Sequence, residues 1–151
     1  MLVTVHITNL GAASVLVASE ESVTKLGLKP LAKILSWSNI GVEPTLMGIG
    51  PAKAIPIALQ RANLSLDQMD LIEVNEAFAA QYLTIEKILK LDRAKTNTSG
   101  GAIALAHPLG ASGARMVGFL SHQIAQNKAK YALASACIGG GQGVALVLSA
   151  V

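Results

Sequence analysis

The sequence predicts a layered α/β domain with a mixed sheet, and two observations lead to this fold class. Apolar runs short enough for buried strands alternate with segments whose apolar residues recur at helical spacing. The chain also ends in two apolar runs separated only by a glycine-rich link, which is typical of an antiparallel hairpin. At 151 residues the chain has the length of one ordinary domain or of one half of a larger molecule.

The composition leaves an isolated domain of this size short of polar surface. Apolar residues make up 52% of the chain and charged residues only 14%. Because so few charges cannot cover such a domain comfortably, we expect a partner chain or a second domain to bury apolar surface. The net charge of +3 comes from scattered lysines and arginines, which argues against nucleic-acid binding. The apolar runs stay below the roughly 18 residues of a membrane span, and the single cysteine excludes an internal disulfide framework.

The first predicted elements alternate between strand and helix. Residues 12–19 (AASVLVAS) form an apolar run with the length of a buried strand. Residues 20–26 predict a short helix, with Ser19 as its N-cap and Gly27 near its C-terminus. Residues 31–40 have the length and the partial alternation of a second strand.

A loop and a helix separate this second strand from a third. Residues 41–51 carry three glycines and two prolines, which predicts a loop. Residues 52–62 place apolar side chains on one helical face, and Pro56 predicts that this helix either starts late or is kinked. After a turn, residues 71–74 form a brief strand.

A strongly periodic helix is predicted to begin at Asn75 and to end at about Leu89. Its inward face carries Phe78, Tyr82 and Ile85 at spacings of three and four residues. Because Asn75 begins the same face, its carboxamide is expected to be buried and hydrogen-bonded. The pattern favours Asn75 as a structural N-cap and leaves a role as a site residue open.

The stretch of residues 100–115 (GGAIALAHPLGASGAR) places a histidine on a rigid corner. Pro108 fixes its own φ and pushes His107 into an extended conformation. A helix is predicted from this corner to about Asn127, and its positive end favours a neutral imidazole and stabilises nearby negative charge. The alternative is a glycine-rich packing loop with a structural histidine.

The last two strands, residues 130–136 and 143–149, are joined by CIGGGQG at residues 137–143. The glycines allow several backbone N–H groups to point into one concavity, an anion or oxyanion nest. A nucleotide-binding loop is disfavoured because such a loop precedes a helix, and here a strand follows.

Three polar side chains fall at the ends of predicted elements: Asn75, His107 and Cys137. Because α/β folds place their sites at strand ends and adjoining loops, we expect the three side chains to converge. The imidazole can move protons, the thiol can act as base or nucleophile, and the carboxamide and N–H groups can hold an oxyanion. This set predicts acyl transfer or carbanion chemistry on a carbonyl, without identifying a substrate.

Four blocks of the sequence resemble the signature blocks of the thiolases. They are MGIGP at residues 47–51, NEAFA at 75–79, GGAIALAHPLGASG at 100–113 and CIGGGQG at 137–143. The resemblance keeps order and spacing from about Gly11 to the end of the chain. Within the family, residues 64–82 and the CIGGGQG ending look most like the mitochondrial 3-ketoacyl-CoA thiolases, with cytosolic acetoacetyl-CoA thiolases second.

The resemblance implies a fold, partners and a location. Thiolases consist of two similar five-stranded α/β halves and form dimers or tetramers, and this chain is similar to the second half only. It implies a thiolase C-terminal domain over residues 11–151, with a five-stranded mixed sheet and helices on both faces, after a divergent lead-in over residues 1–10. The implied partners are a thiolase N-terminal half or a second copy of the chain. The implied compartment is the mitochondrial matrix, with the cytoplasm as the alternative.

The resemblance also implies residue roles. His107 would activate the nucleophilic cysteine, and Cys137 would be the acid/base that removes and returns the α-proton of acetyl-CoA. Asn75 would hold a water that polarises the thioester oxygen together with His107, and the Gly139 N–H would contribute to a second oxyanion hole. The residues implied to line the acyl and pantetheine pocket are Met47 and Phe78. No metal and no resident cofactor are implied, since the coenzyme A thioester is the substrate.

The sequence departs from the family pattern at three places. The nucleophilic cysteine of thiolases lies in the first half, and Cys137 is the only cysteine here. Residues 5–13 (VHITNLGAA) replace a block that contacts coenzyme A, so its pantetheine-contacting serine is gone. Ala106 stands where the family has a glycine before the catalytic histidine.

Two hypotheses of function remain. The first is the C-terminal half of a thiolase, which transfers acyl groups between 3-ketoacyl-CoA or acetyl-CoA and coenzyme A by thiolytic cleavage or Claisen condensation. This half is expected to be inactive alone because its nucleophilic partner cysteine is missing. The second is a non-catalytic, thiolase-derived interaction module.

Overall fold

The computed structural model describes residues 5, 7 and 9–151. The described helices are α1 (Glu20–Leu26), α2 (Gly50–Arg61), α3 (Ala79–Leu89), α4 (Ala102–Leu105) and α5 (Ser112–Ala125). The described strands are β1 (Lys33–Gly41), β2 (Leu71–Val74), β3 (Tyr131–Ile138) and β4 (Gln142–Ser149). Two short 3-10 helices, Pro44–Ile49 and Leu66–Gln68, lie in the connections.

The four described strands form one mixed sheet in the order β1-β4-β3-β2. Strand β4 runs antiparallel to both of its neighbours, so the predicted C-terminal hairpin is confirmed. Strands β2 and β3 run parallel, with Val74 opposite Ser135. Parallel strands bring their carboxyl ends to the same edge of a sheet, so the loop after β2 begins beside the last residues of β3, which continues to Ile138.

The prediction of a strand over residues 12–19 is wrong, and the described sheet therefore has four strands and not the five that were expected. These residues form no described strand, and Leu16 is 84% exposed. An apolar run becomes a strand only when a neighbouring strand satisfies its backbone N–H and C=O groups, and no described strand pairs with this one. The helix that follows begins as predicted, since the Ser19 side chain accepts a hydrogen bond from the Ser22 N–H and Gly27 ends the helix in the left-handed region.

The outer edge of β2 is covered by an irregular segment instead of a full strand. Ile72 donates its N–H to the Lys95 carbonyl at 2.9 Å, and the Ile72 carbonyl accepts from the Asn97 N–H at 2.8 Å. The Asn97 side chain then pairs with Val74, since its Oδ1 accepts from the Val74 N–H and its Nδ2 donates to the Val74 carbonyl. One side chain therefore takes the place of a neighbouring strand at the carboxyl end of β2.

Helices pack on both faces of the sheet, as predicted. One face carries α2 and α3, and its buried core includes Ile55, Ile85, Leu133 and Val147. The opposite face carries α5, and the residues buried there are Met116, Leu120, Ile124, Ala129, Ala132, Ala134 and Leu148. No helix in the described part of the chain is both long and apolar enough to cross a membrane.

Helix α2 begins two residues earlier than predicted and continues through Pro56, so it does not start late. Pro51 fits the first turn because the N–H that proline lacks has no partner there. The backbone of Gly50 lies directly against that of Gly143 at the start of β4, and a side chain on either would overlap the other chain segment. The two glycines therefore allow the N-terminus of α2 to pack directly against the backbone of β4.

Candidate active site

Asn75 follows the last residue of β2 and is buried, with 1% of its surface exposed. Its N–H donates to the Ser135 carbonyl at 2.9 Å, which fixes it beside β3. The preferred prediction that Asn75 is the N-cap of a helix is wrong, because α3 begins at Ala79 with Phe78 as its N-cap residue. Gln81 replaces the cap, since its Oε1 accepts from the Ala77 and Phe78 N–H groups. Asn75 is therefore free to serve as a site residue.

The structure brings Asn75 and His107 together. The carboxamide Nδ2 of Asn75 lies 3.3 Å from Nε2 of the His107 ring. His107 reaches this position from α4 through Ala106, and its own N–H donates to the Ile7 carbonyl at 2.9 Å. Two segments that are 32 residues apart in sequence thus meet at one imidazole nitrogen.

The other ring nitrogen of His107 contacts Ser112, a residue that the sequence did not single out. The Ser112 Oγ lies 2.5 Å from Nδ1 and donates to the Pro108 carbonyl at 3.2 Å. With the Ser112 hydroxyl donating to Pro108 and the Asn75 Nδ2 facing Nε2, the arrangement fits an Nδ1–H that donates to Oγ and an Nε2 that accepts from Asn75. From these contacts we infer the tautomer that carries its proton on Nδ1. The sequence feature that could have identified Ser112 is its position: it is a hydroxyl residue in the first turn of the helix that follows His107 and Pro108.

The carbonyl oxygen of the Asn75 side chain has no hydrogen-bond partner among the described residues, although it is buried. A buried acceptor without a donor costs about 1 to 3 kcal/mol, so a water or a ligand donor is expected to satisfy it. This oxygen belongs to the same carboxamide that contacts Nε2 of His107. The Asn75 Oδ1 can therefore accept a hydrogen bond from one more polar group next to the Asn75–His107 contact.

Ala106 holds a backbone conformation that suits glycine. Its φ is 72° and its ψ is 170°, a region that residues with a Cβ rarely enter. The glycine that the resemblance to thiolases implies at this position would adopt this conformation without a Cβ penalty. We therefore expect the backbone to be strained at Ala106, the residue directly before His107.

Cys137 lies near the end of β3, opposite Gly143 of β4, and is half-buried. Burial raises the pKa of its thiol, and a backbone hydrogen bond offsets part of that increase. Cys137 stands two residues beyond Ser135, whose carbonyl binds Asn75, so it shares the sheet edge with the Asn75–His107 pair.

The alternation of side chains along β3 places Cys137 on the α2 face of the sheet. Leu133 packs with the α2 core, whereas Ala132 and Ala134 pack with α5. Helix α5, which follows His107, lies on the other face. The imidazole and the thiol must therefore approach each other around the end of the sheet, and their close convergence stays a prediction.

The remaining predicted site residues lie in loops near this edge. Gly139 begins the link between β3 and β4, and a Cβ added to it would meet no described atom within 4 Å, while Gly140 and Gly141 take positive φ values of 85° and 88°. Gly141 accepts a hydrogen bond from the Val42 N–H at 2.7 Å, which ties the link to the segment before Met47.

Met47 is half-buried in the 3-10 helix, and Phe78 is 40% exposed at the start of α3. A groove formed by α2 and the following turn, with Ile55, Leu59 and Leu64 among its lining residues, contains neither of them. Their roles in a substrate pocket, like the oxyanion role of Gly139, stay predictions. Among the described residues, no three His, Cys, Asp or Glu side chains form a group that could hold a metal ion.

Comparison with known families decides the relationship. The family model described as "Thiolase, C-terminal domain" matches residues 28–150. The chain belongs to the thiolase family. Its similarity to the mitochondrial 3-ketoacyl-CoA thiolases is also confirmed, since the mouse mitochondrial 3-ketoacyl-CoA thiolase is 55% identical over 138 residues, which is 91% of this chain. The β-ketoadipyl-CoA thiolase of Acinetobacter baylyi is 55% identical over 145 residues, or 95% of the chain.

The thiolase fold is confirmed by solved structures. The crystal structure of human mitochondrial 3-ketoacyl-CoA thiolase, alone and in complex with CoA, matches 89% of this chain with a TM-score of 0.86 and 54% sequence identity. The chain spans about a third of its curated relatives, 35% of the mouse thiolase and 36% of the Acinetobacter thiolase.

The thiolase domain predicted over residues 11–151 contains the family match, which begins at residue 28. The boundary at Gly11 stays a prediction. Most of the predicted lead-in over residues 1–10 lies outside the described residues, as do two positions, His6 and Thr8, of the divergent coenzyme A block.

Proposed function

We propose that this chain supplies the C-terminal half of a thiolase site, which transfers acyl groups between 3-ketoacyl-CoA or acetyl-CoA and coenzyme A. The observation that carries the proposal is the contact between Asn75 Nδ2 and the unprotonated Nε2 of His107. An unprotonated imidazole nitrogen held in place by a second residue is what a general base requires.

The proposed first role of His107 is to accept the proton of a nucleophilic thiol at Nε2, once that thiol replaces the Asn75 Nδ2–H at the single lone pair of the nitrogen. The ring is then an imidazolium, and its Nε2–H can donate to the oxygen of the thioester as negative charge develops there. The buried Oδ1 of Asn75 has no donor among the described residues, so it can hold a water whose second hydrogen points at the thioester oxygen. Ser112 keeps the proton on Nδ1 throughout, which leaves Nε2 as the reacting nitrogen.

The proposed role of Cys137 is proton transfer at the α-carbon of the acyl group. Burial raises its pKa, which favours the protonated thiol that returns a proton to carbon. Removing the α-proton needs the thiolate, so the positive charge of the imidazolium is proposed to lower this pKa during turnover. The N–H of Gly139 would stabilise the resulting enolate, and Met47 and Phe78 would contact the acyl and pantetheine portions.

The substrate proposal rests on a relative. The human mitochondrial 3-ketoacyl-CoA thiolase has been crystallised in complex with CoA, and it is 54% identical to this chain. We therefore propose a coenzyme A thioester as substrate, with no resident cofactor, and an N-terminal thiolase half as the partner that supplies the nucleophile. The mitochondrial names of the relatives support the mitochondrial matrix as the location.

The test is an acetoacetyl-CoA thiolysis assay of the chain with and without a purified N-terminal half of the human mitochondrial thiolase. We expect no turnover by the chain alone, since its one cysteine is the proposed acid/base, and turnover after the halves are mixed. His107→Ala and Cys137→Ala should each abolish the restored activity. A complex of the two halves in which wild-type chain gives no more turnover than these variants would overturn the proposal.

The same result would favour a non-catalytic interaction module. The exposed apolar side chains around residues 7–17 are the observation that supports this second function, since such surface marks a partner interface. A module predicts stable binding of the N-terminal half without thiolysis. Binding and turnover are therefore measured on the same mixtures.

A further inference from the structure

Glu76 is a half-buried carboxylate next to Asn75 that has no role in the proposed chemistry. Its Oε2 accepts from the Ile103 N–H in the first turn of α4 at 3.0 Å. Its Oε1 accepts from the Asn97 side-chain Nδ2 at 3.2 Å. One carboxylate therefore links the loop after β2 to two points of the segment that leads to His107.

Asn97 extends this link to the sheet. The same side chain accepts from the Val74 N–H at 2.9 Å and donates to the Val74 carbonyl at 3.0 Å. Val74 directly precedes Asn75. Both covalent neighbours of Asn75 are thus hydrogen-bonded to the 97–103 segment, one through its backbone and the other through its carboxylate.

Gly101 shows that the position of this carboxylate is closely fitted. A Cβ added to Gly101 would overlap the carboxyl carbon and both oxygens of Glu76. The φ of Gly101 is −99°, which any residue can adopt, so the glycine is needed for space and not for backbone conformation. The absence of a side chain at Gly101 provides the space that the Glu76 carboxylate occupies.

We propose that Glu76 is a positioning residue that fixes the meeting point of Asn75 and His107. Helix α4 is a single turn of four residues, and Ala106 and His107 follow it directly. Glu76 binds the start of that turn and is also the chain neighbour of Asn75. One carboxylate therefore fixes the positions of both residues that form the 3.3 Å contact. The inference rests on the proposed function only for its consequence on turnover.

The test measures the contact itself by NMR in the whole chain. Glu76→Gln can keep only one of the two acceptor bonds, and Glu76→Ala loses both. We expect the Asn75 carboxamide protons to exchange with water about tenfold faster in Glu76→Ala, with a smaller effect in Glu76→Gln. The ¹⁵N signal of His107 Nε2 should move toward the value of an acceptor without a hydrogen bond in the same order.

Glu86→Gln is the matched control, because Glu86 also accepts two hydrogen bonds but from the exposed Arg93 side chain. It should leave the Asn75 and His107 signals unchanged. Gly101→Ala should reproduce the effect of Glu76→Ala in the wild-type background and add nothing in the Glu76→Ala background, where the methyl finds room.

The result that would overturn the proposal is a folded Glu76→Ala variant, with a lower Tm, whose Asn75 and His107 signals match the wild type. Additive effects of Gly101→Ala and Glu76→Ala would overturn it as well. Both readouts are independent of thiolysis, so an inactive mixture of halves contradicts the proposed function and leaves this inference standing.

Discussion

At the scale of single residues, the chemistry of the candidate site depends on which nitrogen of His107 carries the proton. In the inferred network, Nδ1–H donates a hydrogen bond to the Ser112 Oγ, and the Asn75 Nδ2 donates to Nε2. The sequence singled out His107 and Asn75 from their positions next to predicted elements, and the structure places the two side chains in contact. It could not predict Ser112 as the residue that selects the tautomer, because a serine in the first turn of a helix usually binds backbone.

Replacing Ser112 with alanine should destabilise the chain by about 1 to 2 kcal/mol, because a half-buried ring N–H loses its acceptor. The His107 ¹⁵N signals should also show a mixture of the two neutral tautomers. Urea unfolding and NMR measure the two effects. Ser121→Ala on the same helix is the control and should change the free energy of unfolding by less than about 0.5 kcal/mol. A Ser112→Ala protein in which the His107 proton stays wholly on Nδ1 would contradict the role of Ser112 in selecting the tautomer.

Replacing Ala106 with glycine should stabilise the chain. Relief of the strained φ of 72° contributes about 1 to 3 kcal/mol, and the greater flexibility of glycine in the unfolded chain subtracts about 0.5 to 1 kcal/mol. We therefore expect a net gain of about 1 kcal/mol in urea unfolding. Ala104→Gly inside α4 is the control and should destabilise. Equal losses in the two variants would show that Ala106 is not strained.

At the scale of elements, the predictions succeeded where local sequence decides structure. Strand β2 lies at the predicted residues 71–74, and the cap and end of α1 are those expected from Ser19 and Gly27. They failed where a distant partner decides. Residues 12–19 have a strand pattern but no described strand beside them. Asn75 has cap chemistry, but Gln81 performs the capping.

The ion pair between Glu73 of β2 and Arg115 of α5 joins the sheet to the helix that follows His107. Burial raises the pKa of Glu73, and Arg115 lowers it, with burial the larger effect. Arg115→Met removes the opposing charge, so the pKa of Glu73 should rise further. The native state then favours the protonated carboxyl, and the cost of ionising it grows as pH rises above the ordinary glutamate value.

We therefore expect Arg115→Met to destabilise the chain by about 3 kcal/mol at pH 7 and by clearly less near pH 4. Urea unfolding across this pH range measures the difference. Arg93→Met, which breaks the exposed pair with Glu86, is the control and should show little effect at either pH. A loss for Arg115→Met that does not change with pH would contradict a buried, paired Glu73 carboxylate.

At the scale of the whole molecule, the chain carries apolar surface that one thiolase half leaves uncovered. Leu10, Leu16 and Trp37 are large apolar residues with more than half of their surface exposed. Composition predicted this exposure, since only 14% of the residues are charged. The sequence could not predict which residues would be exposed, because the run at 12–19 reads as a buried strand.

The chain should self-associate when no N-terminal half is present, because burying such surface is favourable by about 25 cal/mol for each Å² removed from water. Sedimentation velocity over a range of concentrations measures the association. Leu16→Lys and Trp37→Lys should each weaken it, whereas Gln60→Lys, which replaces an exposed polar residue of α2, serves as the control. A monomer at every concentration would contradict the expectation.

The central claim is that Asn75, His107 and Cys137 form one site, and the most direct test is the separation of His107 Nε2 and Cys137 Sγ in a crystal structure of the chain bound to a coenzyme A thioester. We expect the two atoms within roughly 6 Å of each other, close enough for a direct contact or one bridging water around the end of the sheet. Finding the imidazole and the thiol on opposite faces with β3 between them would contradict the claim, and the roles assigned to His107 and Cys137 would have to be withdrawn.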